Sequence, residues 1–248
     1  MTVPPSSRRY FDELASTQAT ALAFVREGFP PRTWIVAGRQ TDGLGRNGRR
    51  WESPRGGLYV SIIARAPESN VALVPLAVGA SVADRLEHDF HIGLRLKWPN
   101  DLVVEDGRSV RKLAGILVDH LLAPWGDAVV IGLGVNVLGD AGHFGSSLVE
   151  RATTLEVLVE EKPNIEEVES SLVDCTLGAV DRLERSSEVP KVVARIRKAL
   201  FGVGRVARVD GVSAGVVEGV GPEGELLVTS GSELRSIRSG EVAIEAGS

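Results

Sequence analysis

The chain has 248 residues, 43% hydrophobic and 25% charged, with a formal net charge of −5 at pH 7. That is enough apolar content for one large core, or for a medium domain plus a small one, and the acidic balance argues against a dedicated DNA-binding protein. The single cysteine, Cys175, can form no internal disulfide and fits a reducing cytoplasm. The most apolar window, Val71–Ala83, is too short to span a bilayer and is broken by Pro75 and Gly79, and Met1–Arg9 lacks the apolar region of a leader.

Ser16-Thr17-Gln18 precedes Ala19–Glu27, an alanine-rich helical run stopped by Gly28, and Ser16 or Thr17 can cap it. Trp34–Ala37 reads as a short strand. It delivers the chain to Gly38–Trp51, G-R-Q-T-D-G-L-G-R-N-G-R-R-W, which holds four glycines and the arginines Arg39, Arg46, Arg49 and Arg50. Glycines 43, 45 and 48 let the backbone adopt positive φ and approach a ligand closely. Guanidiniums suit phosphate and carboxylate oxygens because they bind them in pairs. Gly43–Gly48 also matches the dinucleotide pattern G-x-G-x-x-G. That pattern must open a helix, whereas Pro54 and Gly56-Gly57 follow here. A solvated basic loop and a phosphate-gripping loop of another fold remain.

Gly57–Ala64 is the next strand, and Leu73–Phe90 a helix with Pro75 in its first turn. His88 and His91 near its end read as structural, and no residue set has the spacing of a metal site. Strands over Leu94–Lys97 and Leu102–Val104 flank Trp98-Pro99-Asn100-Asp101. That turn either presents Lys97, Asn100 and Asp101 together or is a plain Asn-Asp turn over a buried tryptophan. After a polar turn, Glu105–Arg111, comes the strand Lys112–Leu121. Lys112 at its mouth could merely snorkel, and Gly115 inside it implies a bulge or close ligand approach. Ala128–Val137 is a buried strand whose Gly132 and Gly134 share one face, leaving room for a flat ligand.

Asn164–Arg185 is an amphipathic helix capped by Asn164, with Glu167 at the capping-box position and Ile165, Val168, Leu172, Val180 and Leu183 as its apolar stripe. Pro190–Leu200 is a second helix. From Gly202, β-rich runs (Arg205–Val209, Gly215–Val220, Glu225–Thr229, Glu233–Arg238, Glu241–Ile244) alternate with glycine turns, as in a small antiparallel barrel. The pattern predicts an α+β chain with domains at 1–200 and 201–248.

Three segments suggest a family. G-L-G-R-N-G-R-R-W-E-S-P resembles the G-R-G-R-x-G-R-x-W-x-S-P loop of biotin protein ligases. Lys97–Asp101 resembles their K-W-P-N-D motif and Lys112–Leu117 their K-x-x-G-I-L motif, with Gly132-Leu133-Gly134-Val135-Asn136 following in order. The resemblance covers nearly the whole chain, most specifically residues 16–137. It implies a mixed-sheet catalytic domain of the biotin/lipoate ligase type followed by an SH3-like β-barrel. The implied activity joins biotin to ATP as biotinyl-5′-AMP and passes biotin to a lysine of a biotin carboxyl carrier protein, with Mg²⁺ as the expected ion. By the same resemblance, Ser16, Thr17, Gln40, Gly43, Lys112 and Gly115 would bind biotin. Arg46, Arg49, Trp51, Asn100, Gly132 and Asn136 would bind ATP or the adenylate. Arg46 would grip phosphate, Lys112 would bridge carboxylate and phosphate, and Asp101 would orient or deprotonate the acceptor lysine.

Two positions depart from the pattern: Gln18 stands where asparagine is usual and Leu44 where arginine is. Only about fifteen residues precede the first capped helix, so no repressor-type DNA-binding domain is expected; an exposed strand offers a route to a homodimer. Lipoate ligases share the fold, but their R-R-x-x-G-G-G-x-x-x-H-D pattern is missing. A non-catalytic sensor would not need Arg46, Asp101 and Lys112 together, and a pure interaction protein leaves the motif order unexplained.

Overall fold

The computed structural model describes residues 7–107, 109–144 and 151–244; most of Met1–Arg9, on which the leader reading rests, lies outside them. An edge strand, β1 (Ser7–Phe11), runs parallel to β2 (Thr33–Ala37), with α1 (Thr17–Arg26) between them in the chain. The other strands of this sheet pair antiparallel: β3 (Gly57–Arg65), β4 (Arg95–Lys97), β5 (Asp101–Asp106), β6 (Ser109–Ala123) and β7 (Gly126–Asn136). The spatial order is β1-β2-β3-β7-β6-β5-β4, a mixed sheet as expected. The sequence gives no sign of β1, because an exposed edge strand needs no apolar alternation and Ser-Arg-Arg-Tyr-Phe has none. The stretch read as a polar turn over 105–111 is mostly strand: β5 and β6 extend past the sheet's covered area, where exposed polar residues cost nothing.

Each face of the sheet has its own cover, which explains why all of Gly57–Ala64 is buried. Leu58, Val60 and Ile62 of β3, with Ile131, Leu133 and Val135 of β7, face a large core shared with α2 (Val74–Phe90), α4 (Ile165–Leu183) and α5 (Val189–Ala199). A four-residue helix, α3 (Leu155–Leu158), unforeseen, joins this layer. On the other face, Ile63, Ala128 and Val130 meet Ala21 and Val25 of α1. The predicted stripe of α4 is buried except at its first member, Ile165, which is half-buried. Val168, Leu172, Val180 and Leu183 are each 1% exposed or less, worth roughly 1.5–3 kcal/mol apiece relative to exposure. Asn164 caps that helix by accepting from the backbone N–H of Glu166 and Glu167 at 2.9 and 3.2 Å.

The chain then forms an antiparallel sheet of β8 (Val206–Val209), β9 (Val212–Val220), β10 (Leu226–Ser230), β11 (Glu233–Ile237) and β12 (Val242–Ile244). Its order is β11-β10-β9-β8-β12. The ring is open rather than a closed barrel, since β11 and β12 are its two edges, and its register shifts at Ala207/Arg208 and Leu227/Val228; the five-stranded antiparallel arrangement fits the SH3-like expectation. It docks on the first sheet. Trp98 Nε1 donates to Gly224 O at 2.9 Å, and Val217, Val220, Leu226 and Val228 continue the large core. Among the described residues no helix is long and apolar enough to cross a membrane.

Candidate active site

The loop between β2 and β3 is strapped to the chain that enters α1. Thr41 N–H donates to Leu14 O and Asp42 N–H to Ala15 O, both at 2.9 Å. This sets Gln40 beside the first turn of α1, which starts at Thr17, two residues earlier than its sequence pattern indicates. Ser16 caps it by accepting from Ala19 N–H at 3.3 Å. Within the loop, Trp51 N–H donates to Gly43 O at 2.9 Å and Gly45 N–H to Arg49 O at 2.7 Å, a small hairpin. Of the three glycines expected to use positive φ, only Gly48 does, at 71°. Gly43 is needed for another reason: a Cβ there would lie 2.4 Å from Trp51 O. It packs chain against chain.

The floor of the site is the α1 face of β6 and β7. Gly115 pairs with Gly134 and Leu117 with Gly132, so the bare positions lie side by side. The flat group resting on them is the protein's own Trp51. A Cβ on Gly134 would sit 2.6 Å from the indole Cε2, and one on Gly115 2.9 Å from Cζ3. Gly132 is covered by Gln18, whose Oε1 would lie 2.6 Å from a Cβ at that position. The cavity left over is about 60 Å³, well below the roughly 300–1,000 Å³ of a typical ligand pocket. Trp51 Nε1 is buried and without a hydrogen-bond partner. An orphaned buried donor typically costs about 1–3 kcal/mol, which offsets part of what the indole gains by packing on the glycine floor.

Cations gather at the mouth. Lys112 Nζ lies 2.6 Å from Asp101 Oδ1 and 4.8 Å from the centroid of the Trp51 ring. Arg46 Nη1 donates to Asn100 Oδ1 at 3.2 Å, and Asn100 Nδ2 to Ile116 O at 2.8 Å. Arg49 forms a two-pronged pair with Glu241 of the second sheet, one prong at 2.9 Å, and this holds the Glu241 carboxyl below its ordinary range. Arg46, Arg49, Arg50, Lys97 and Lys112 line this mouth against only Asp101 and Glu241, so it favours anions in a chain that is acidic overall.

A model of the biotin/lipoate A/B protein ligase family matches residues 10–136. The chain belongs to that family. It is 30% identical over 240 residues to the biotin--[acetyl-CoA-carboxylase] ligase of Paracoccus denitrificans, covering 92% of this chain and 96% of that one. It is 28% identical over 241 residues to the bifunctional ligase/repressor BirA of Bacillus subtilis, covering 95% of this chain and 73% of that one. The structure of biotin protein ligase from Aquifex aeolicus in complex with biotin and ATP matches with a TM-score of 0.82 at 27% identity, over 97% of this chain and 99% of that one.

In this family member the cavity brings together Ser16, Thr17, Gln40, Arg46, Trp51, Asn100, Lys112, Gly115 and Gly132. Asp101 and Arg49 join at the adjoining mouth. Gly43 and Asn136 do not line either space. Asn136 is 4% exposed and donates to Thr153 O at 3.0 Å, which ties down the segment beside Lys112. Leu44 lines the cavity and is 40% exposed, so the position usual for arginine carries an apolar side chain at the rim. Three residues escape the sequence reading. Ser61 Oγ lies 2.9 Å from both Thr17 Oγ1 and Gln18 Oε1, Asp119 accepts from Gln18, and Ser53 Oγ accepts from Gln40 Nε2 at 2.8 Å. Ser61 had a signal: it is the one serine in a buried run that is otherwise aliphatic, glycine or Tyr59. Among the described residues no group of three or more His, Cys, Asp or Glu could hold a metal ion.

Proposed function

We propose that this chain activates biotin with ATP as biotinyl-5′-AMP and then transfers the biotinyl group to a lysine of a biotin carboxyl carrier protein. The observation that carries the reading is the placement of Lys112. Its Nζ stands between an uncharged ring pocket of hydroxyls and amides and a cationic mouth, beside Asp101. A cyclic urea with an acidic side chain has that polarity. The ring would meet Ser16, Thr17 and Gln40, and the carboxylate would meet Lys112.

A carboxylate is a poor acyl donor, so the first step makes it a mixed anhydride. A biotin carboxylate oxygen attacks the α-phosphorus, the α–β bridging P–O bond breaks, and pyrophosphate leaves. Negative charge grows on the α-phosphate and the leaving group, so the contribution of Arg46 and Lys112 is alignment and charge stabilisation. In the second step the acceptor amine attacks the acyl carbon and AMP leaves, with Asp101 beside Lys112 to take the amine's proton. Mg²⁺ would enter with the phosphates of ATP, which suits an ion that keeps waters and needs few carboxylates. Such a substrate set belongs in the cytoplasm, in keeping with the lone Cys175. The test is biotin-dependent release of pyrophosphate from ATP, run beside lipoate. No release with biotin, or equal release with lipoate, overturns the reading.

A further inference from the structure

Behind the uncharged ring end of the cleft, and reached through Gln18, lies a carboxylate that the proposed chemistry does not use. Asp119 lies on β6 opposite Val130 of β7, two residues beyond Leu117 on the cleft face. The Gln18 side chain reaches both: its Nε2 donates to Asp119 Oδ2 at 2.7 Å and to Val130 O at 3.0 Å. Both partners are acceptors only. Turning the amide over would set its oxygen against a carboxylate and a carbonyl, so its orientation is fixed by chemistry. Gln18 is 3% exposed, and its two amide hydrogens are spent. The Oε1 therefore faces the other way, to Ser61 Oγ and the bare Gly132 that bounds the cavity.

Gln40 is locked in the opposite sense. Its Oε1 accepts from the N–H and the hydroxyl of Thr17 at 2.7 and 3.1 Å, and its Nε2 donates to Ser53 at 2.8 Å. One carboxamide thus offers the ring end an oxygen, and the other spends its oxygen on Thr17 and turns its nitrogen to the buried Ser53.

We infer that Asp119 is a positioning residue for ligand recognition: it locks the Gln18 amide so that the ring end presents an acceptor and selects a ligand bearing an N–H there. This rests on the biotin reading and names the part of the urea that is read. A site built to hydrogen-bond a ligand's N–H rejects an isostere lacking it far more strongly than it rejects a change of size. Asp119 matters because Val130 O can hold only one of the two amide hydrogens; without the carboxylate the other loses its partner and the orientation is held only weakly, by Val130 O and Ser61 Oγ.

The probes are biotin and its two cyclic carbamate analogues, each with one ring N–H replaced by oxygen, in steady-state pyrophosphate release by the full chain. The wild type should disfavour one carbamate by at least about tenfold in kcat/KM. Asp119→Ala should raise the KM for biotin by about tenfold or more, with much smaller changes in kcat and in the KM for ATP, and lose most of that discrimination. Asp119→Asn, whose oxygen still accepts from Gln18, should restore both. Gln18→Met keeps the side-chain volume without the amide. It should lose the discrimination even if Asp119→Ala fails to fold. If Asp119→Ala or Gln18→Met discriminates as the wild type does, the inference is overturned, and a lowered melting temperature alone would mark a structural role. A wild-type chain that releases no pyrophosphate with biotin overturns the proposed function and this inference with it.

Discussion

Replacing Gly134 with alanine tests whether Trp51 rests on the glycine floor. The added Cβ would lie 2.6 Å from Trp51 Cε2 and 2.7 Å from Nε1. Ordinary carbon contacts are about 3.5–4.0 Å, so the indole must lift by roughly 1 Å. Its backbone is tethered, since the Trp51 main-chain N–H donates to Gly43 O and the main-chain carbonyl accepts from Ser53 Oγ, both at 2.9 Å, so the lift must come from side-chain rotation or a shift of the loop. Overpacking of this kind costs about 1–3 kcal/mol, and the low end applies here because a loop rather than a strand must yield. Gly134→Ala should therefore lose about 1 kcal/mol in urea denaturation. In a Trp51→Ala background, where nothing stands over Gly134, the same change should be close to neutral, giving a coupling energy near 1 kcal/mol. The methyl also takes room a bound ring needs, so the KM for biotin should rise about tenfold, 1.4 kcal/mol. An equal stability loss with and without Trp51 would refute the contact.

Lys112→Ala should cut adenylation a hundredfold or more, on the order of 3 kcal/mol of transition-state stabilisation, while circular dichroism stays native; wild-type pyrophosphate release would sink its role. The Arg49–Glu241 pair links the loop to the second sheet and depends on pH. Because Arg49 holds the Glu241 carboxyl below its ordinary value of 4.5, its stabilisation is complete above 4.5 and is lost as pH falls through the depressed folded-state value. The melting-temperature difference between wild type and Glu241→Gln should thus be present at pH 7 and close as the pH is taken below 4.5, or as salt is raised at pH 7. A difference that persists at low pH and high salt contradicts the link.

What the sequence revealed was local. Asn164 announces the start of α4, the parity of Gly132 and Gly134 announces a bare sheet face, and the motif order announces the family. What it hid depends on partners far along the chain. Gln18 meets a carboxylate 101 residues away, and nothing near Asp119 marks it except a charge inside an apolar strand, at the parity of Gly115 and Leu117. The glycine face was read as room for a flat ligand, yet the loop before β3 lays its own tryptophan there. Strand β1 is hidden for the converse reason: its partner β2 supplies all the apolar pattern the pair requires.

Asp101→Asn separates the two half-reactions. Asp101 opens β5, opposite Gly115 of β6, and its Oδ1 is 2.6 Å from Lys112 Nζ. The asparagine keeps an oxygen for Lys112 to bond, so the lysine stays in place. It removes the negative charge that an incoming carboxylate must displace, so adenylation should change by no more than severalfold. The acceptor lysine is different. Its ordinary pKa is about 10.4, and its amine must lose a proton to attack the acyl carbon. A positioned base typically contributes about 10²–10⁴-fold to such a step, and an asparagine cannot supply it. Single-turnover measurement should therefore show near-normal formation of biotinyl-AMP and a drop of about a hundredfold or more in transfer from preformed biotinyl-AMP to the carrier lysine. If Asp101 serves only to hold Lys112, its loss should register in adenylation first. Transfer that survives while adenylation collapses would mean that Asp101 positions a cation and moves no proton.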